Sequence, residues 1–228
     1  GLSGHAELMW LRAAGEEEEV RRRRELRRYQ YVRALIESGG TLPLSLCLGI
    51  DPLDDSRLTR GKGSSFFEML EFVAGSDALC GALQQINEEW RGDPLPFGQL
   101  MGAVEERANE DLDWFVYDWI VRGDLPTYSL DFDVESAGDG QYLIRGIIRQ
   151  DGEAYRTPLP LTIDLGGWSY QEWIEIESAD QTFRLVTESE PLDITIDASR
   201  IIPKIDPEQR AHAHFELGRS AADRNEWG

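Results

Sequence analysis

Asp111-Leu112-Asp113-Trp114-Phe115-Val116-Tyr117-Asp118-Trp119-Ile120-Val121-Arg122-Gly123-Asp124-Leu125-Pro126-Thr127-Tyr128 decides the fold. From Asp111 to Arg122 it reads as an amphipathic helix rich in aromatics; Gly123 stops the helix, and an extended, alternating stretch follows. The run therefore marks a seam between a helical half and a β half. From Tyr128 onward the apolar period is two: Tyr128, Leu130, Phe132 and Val134 alternate with Ser129, Asp131 and Asp133. The turn Ala137-Gly138-Asp139-Gly140 separates them from Tyr142–Ile148, and further strands are expected at Leu159–Leu165, Trp173–Ile176, Phe183–Val186 and Leu192–Ile196. Short strands with no intervening helix predict an antiparallel sandwich.

Upstream of the seam the chain reads as helical. Residues 2–37 form a helical stretch interrupted at Gly15 and stopped by Gly39 and Gly40. Within it, Glu17, Glu18 and Glu19 stand four residues before Arg21, Arg22 and Arg23, the favourable order for ion pairs on a solvated helix face. Leu42–Pro52 reads as a loop or short extended segment. Gly61 and Gly63 precede a helix carrying Phe66, Phe67, Leu70, Phe72 and Val73 that ends near Gly75. Helices at 77–90 and 97–109 follow, divided by the Pro-rich turn Gly92–Pro96. The fold class is thus α+β: an N-terminal all-helical region (1–127), an antiparallel β-sandwich (128–200), and a linker with a short C-terminal helix (201–228).

At 228 residues and 41% hydrophobic, the chain can bury one large core or two modest ones. No apolar run is long enough to span a membrane. Gly1–Glu7 has neither the basic nor the apolar region of a signal peptide, so localisation is unreadable. A net charge of −20 argues against a nucleic-acid partner, which needs a cationic surface. Cys47 and Cys80 sit in apolar contexts with no metal-binding spacing and read as two buried thiols.

Catalytic motifs are sparse. The three histidines are His5, His212 and His214, none of them in H-E-x-x-H, and His212 and His214 point to different faces of the helix expected there. Gly61-Lys62-Gly63 is too short for a phosphate-cradling loop, and no nucleophile elbow is present. Trp168, Tyr170 and Trp173 cluster around Gly166-Gly167; alternation puts Trp168 and Tyr170 on one side, a possible stacking platform for a carbohydrate that competes with an ordinary core role.

Four stretches, in order, resemble the aminopeptidase N-like zinc metallopeptidases, the gluzincins. Gly1-Leu2-Ser3-Gly4-His5-Ala6-Glu7-Leu8 is similar to the helix after that family's third zinc ligand, a Glu; in this register the ligand is the residue before Gly1. Thr59–Leu70 resembles its "Y-x-K-G" segment, Asp111–Tyr128 its helix-to-sandwich junction, and Pro158–Ile163 and Pro191–Asp197 the strands of its small β domain. The tail Pro207–Trp227, with Leu217-Gly218 and a Trp nine residues after that Gly, resembles the first helix of a tetratricopeptide repeat.

The resemblance implies the C-terminal part of a metallopeptidase, non-catalytic alone because it lacks the zinc motif. It implies no cofactor in this chain, with zinc in an intact parent whose partner is a peptide substrate or another protein. The family's oxyanion-stabilising Tyr falls at Arg60. A cationic donor there either serves the same developing charge or, with catalysis lost, pairs with a carboxylate. The alternative is a pseudopeptidase scaffold or interaction module linked to tetratricopeptide repeats.

Overall fold

Gly15, with φ of +77°, divides the N-terminal stretch into α1 (Leu2–Ala13) and α2 (Glu17–Glu37). The computed structural model describes residues 1–39, 43–45, 56–91, 96–206, 211, 212 and 215, and the side chains of 56–60 fall outside that description. Helices α3 (Ser56–Ala74), α4 (Ser76–Glu89), α5 (Phe97–Ala108) and the short α6 (Asp113–Val116) complete the helical half. No described helix is long and apolar enough to cross a membrane.

Three expectations are corrected here. The third helix does not begin after Gly63 but at Ser56, so Gly61 and Gly63 lie inside it. The aromatic helix is α-helical only to Val116 and widens into a π-helical turn, Tyr117–Val121, closed by the Arg122 N–H donating to the Tyr117 carbonyl at 3.0 Å. That wider turn accommodates the consecutive burial of Asp118, Trp119 and Ile120, which one face of an α-helix does not allow. Of the expected i, i+4 pairs only Glu19–Arg23 forms, at 2.6 Å, whereas Arg21 and Arg22 reach back to Glu18 and Glu19 at i, i+3. These pairs are largely exposed, so solvent screening leaves each of them a small contribution.

The β half is two three-stranded antiparallel sheets. The first, in order β1-β2-β5, comprises β1 (Tyr128–Gly138), β2 (Gln141–Gln150) and β5 (Asp180–Thr187). The second, in order β4-β3-β6, comprises β3 (Thr157–Asp164), β4 (Ser169–Ile176) and β6 (Asp193–Ile196). The fourth strand therefore starts four residues before the expected Trp173. Leu159, Leu161 and Ile163 alternate along β3 and share one buried cluster with Ile144 and Ile148 of β2, so the two sheets pack on each other. The same cluster contains Phe66, Phe115 and Trp119, so the core is continuous from helices to sandwich. Opposite Pro160, on the outer face of the second sheet, Trp173 stacks on Phe72 of α3 with ring centroids 3.6 Å apart.

Cys80 is half-buried rather than buried, and Cys47 lies outside the described residues, as do His214, Trp227 and most of the tail motif. Ala211, His212 and Phe215 are helical.

Candidate functional site

The first turn of α1 meets the first half of α3 almost backbone to backbone. A Cβ on Gly1 would lie 2.8 Å from the Gly63 carbonyl oxygen, and one on Gly4 would lie 3.1 Å from Ser64 Cβ. Residue 60 lies in the same helix, one turn before Gly63 and Ser64. Its side chain lies outside the description. Gly61 serves the neighbouring face: a Cβ there would stand 2.8 Å from Tyr31 Cβ and 3.0 Å from the Arg27 carbonyl on α2. The Gly-Lys-Gly run is thus a helix-packing device.

Lys62 is buried, its Nζ donating to the Arg122 carbonyl at 2.9 Å beneath the Tyr31 ring. Burial pushes the ammonium pKa down to about 8, against the pull of Asp124 and Asp118. Arg122 itself lies over the Tyr155 ring, 3.5 Å from its centroid, and donates to the carbonyls of Glu153 and Ala154. Tyr155 donates its hydroxyl to Asp124 Oδ1 at 2.7 Å. This latch ties α3, the π turn and the sandwich together. Sequence reasoning passed over it because its members lie as far apart as residues 62 and 155.

A second polar cluster packs between α1, α2 and α3. Arg24 donates to Glu68 at 2.7 Å and to the Ser199 carbonyl at 2.9 Å, both side chains being nearly inaccessible. His5 stacks on Phe67 at 6.2 Å, with Nε2 3.6 Å from Glu71 and no hydrogen-bond partner on either ring nitrogen. Burial holds its pKa below the ordinary value, opposed by Glu71 and Glu68.

Among the described residues no donor set fits the zinc that the gluzincin resemblance implies. His5 is enclosed against Phe67, and His212 lies edge-on to Tyr29. Among the described residues Glu105, Asp111 and Asp113 bring three carboxylates within 4.8 Å of one another. Their donors are all oxygen; Glu105 accepts the Leu112 N–H and Asp111 the Asp113 N–H, the chemistry of a turn.

The aromatic platform divides. Trp168 and Tyr170 stack at 5.4 Å, with Trp168 61% exposed, whereas Trp173 turns to Phe72.

This fold has a counterpart among solved structures. The fold is shared with a bacterial aminopeptidase. Legionella pneumophila aminopeptidase A, solved in complex with aspartic acid, matches 69% of this chain with a TM-score of 0.52 and 16% sequence identity. The match covers 19% of the aminopeptidase chain, so this chain spans a minor part of that enzyme's length. No protein-family profile and no curated protein matches the chain. At this identity the likeness is one of fold alone.

Proposed function

We propose that this chain forms the C-terminal portion of a gluzincin-type aminopeptidase, in which residues 1–127 wall the peptide cleft and the sandwich, residues 128–200, braces them. The carrying observation is the contact of α1 and α3. The sequence resemblance sets a zinc-ligating Glu just before Gly1 and the oxyanion-binding position at residue 60, one turn before the Gly63 that approaches Gly1. A catalytic ligand and an oxyanion donor must lie within one substrate's reach, so this adjacency favours the reading over a chance resemblance. The shared aminopeptidase fold supports it independently.

By itself the chain carries no H-E-x-x-H and so lacks the machinery to activate a metal-bound water. Arg60 in place of the family's Tyr gives a second reading, a pseudopeptidase scaffold whose residues 201–228 lead into tetratricopeptide-type helices that dock a protein.

The test is hydrolysis of alanyl p-nitroanilide by the purified chain and by any longer natural protein containing it. The isolated chain should bind no stoichiometric zinc and show no chelator-sensitive hydrolysis; clear activity from it overturns the proposal. In the longer protein, Arg60→Tyr should raise kcat about tenfold or more if the zinc site is intact. A variant as inactive as its parent favours the scaffold reading.

A further inference from the structure

Helix α1 has an apolar footing of its own. Its buried side chains Leu8 and Leu11 form a small cluster with Val20 of α2, separate from the main core. Its outer flank, with Leu2 at 40% and Trp10 at 68% exposure, faces solvent. Arg27 of α2 ties it laterally, donating to the Gly4 carbonyl and to Glu7. Towards α3, His5 stacks on Phe67, which packs against the main core. A helix with so few buried apolar contacts opens locally at low cost, so the His5 contact weighs heavily in whether α1 stays seated.

Folding alone does not account for an imidazole at that contact. His5 is 1% exposed, yet neither ring nitrogen has a hydrogen-bond partner, whereas buried polar atoms are as a rule paired. The charges that face it are already matched. Glu68 and Glu71 approach from α3; Arg12 of α1 donates to Glu71 at 3.1 Å, and Arg24 of α2 donates to Glu68 at 2.7 Å. Ser76 adds a hydroxyl donor to Glu71 at 3.3 Å. Two carboxylates thus meet two guanidiniums, and a neutral ring leaves the cluster balanced. An imidazolium would bring a fifth, uncompensated charge out of water. Burial is the larger influence and opposes the cation; Glu71, 3.6 Å from Nε2, favours it without prevailing.

We propose that His5 is an acid-sensitive pin: as the neutral imidazole it seats α1 against α3, and its protonation releases α1 while the remaining helices and the sandwich stay folded. In the released helix the ring meets water and binds a proton near the ordinary value of 6.5, whereas the seated ring binds one only at lower pH. The contribution of the seated ring is therefore full above pH 6.5 and is lost as pH falls below it. The inference stands apart from the peptidase reading, because it concerns only how α1 is held.

The experiment is hydrogen–deuterium exchange of the full chain, read by mass spectrometry and corrected for the intrinsic pH dependence of exchange. Between about pH 7.5 and about pH 5.5 the opening of α1 should increase about fivefold, against a ceiling of about tenfold set by single-proton linkage. Protection of α4 and α5 should stay as it was. In His5→Phe, which can stack on Phe67 without titrating, α1 should be equally protected at both pH values. That variant keeps Lys62, so the effect of that group cancels in the comparison with the parent. His5→Asn, smaller than histidine, repeats the comparison where the larger ring perturbs the fold. As a second reading, the ring 13C shifts of His5 should follow a titration centred below 6.5. A His5 that titrates at 6.5 or above overturns the proposal. So does an α1 that loosens equally in the parent and both variants, or a loss of protection over the entire chain at once.

Discussion

Lys62 Nζ, buried in α3, donates to the main-chain carbonyl of Arg122 where the π turn gives way to the sandwich, 60 residues on. The contact sets an ammonium where water does not reach, and burial brings its pKa down to about 8 from the ordinary lysine value of 10.5. The unfolded chain therefore binds more protons than the folded one between these values. This group's contribution is full above pH 10.5 and is lost as pH falls through about 8. Urea midpoints measured from about pH 7.5 to about pH 9.5 should rise more steeply for the parent than for Lys62→Met, which lacks the titrating group.

Asp197 is the opposite case. Fully enclosed, it accepts the N–H groups of Ile201 at 2.7 Å and Ile202 at 3.1 Å, yet burial, opposed by Lys204, raises its pKa to about 6. Its contribution is present below the unfolded value of 3.8 and is lost as pH rises through about 6. In a pH series across that window, the difference in stability between Asp197→Asn and the parent should shift in the variant's favour as pH rises. A flat difference would show that Asp197 does not titrate there.

Two glycine substitutions should act with opposite signs. Gly61→Ala forces a methyl to 2.8 Å from Tyr31 Cβ and should cost about 1–3 kcal/mol by driving α2 and α3 apart. Gly102→Ala, inside α5 with nothing within 4 Å of the added Cβ, should stabilise by about 0.5–1 kcal/mol through helix propensity. Thermal melts of the pair check both signs.

The Arg24–Glu68 pair links α2 to α3, and through the Ser199 carbonyl to the sandwich. Removing one partner leaves a buried charge uncompensated, so Glu68→Ala should lose about 3 kcal/mol or more, whereas Arg21→Ala at the exposed pair should leave stability nearly unchanged. Equal effects in denaturant unfolding would refute this assignment.

The change of period at Tyr128 was legible because strand alternation is local: Leu130 and Val134 lie on one face whatever β1 pairs with. The helices of α4 and α5 were legible for the same reason. Gly61 and Gly63 misled because a glycine reads as a helix boundary until the helix packed against it is known. Alternation set Trp168 and Trp173 on opposite sides of the strand, but that Phe72 stacks on Trp173 while Trp168 stays exposed was hidden, since α3 and β4 are distant in sequence. The Asp164–Asp193 opposition was equally hidden, since β3 and β6 are distant in sequence.

By itself the sequence determined the α+β order, the seam at Arg122–Tyr128 and the segments from which each element forms, because periodicity, caps and turn residues act over a few neighbours. Only the tertiary structure decided that Lys62 is buried under the seam, that Gly63 of α3 meets Gly1 of α1, and that Asp164 and Asp193 stand opposite each other across two strands. Those facts depend on register and helix approach, which are settled by surfaces closing between segments far apart along the chain.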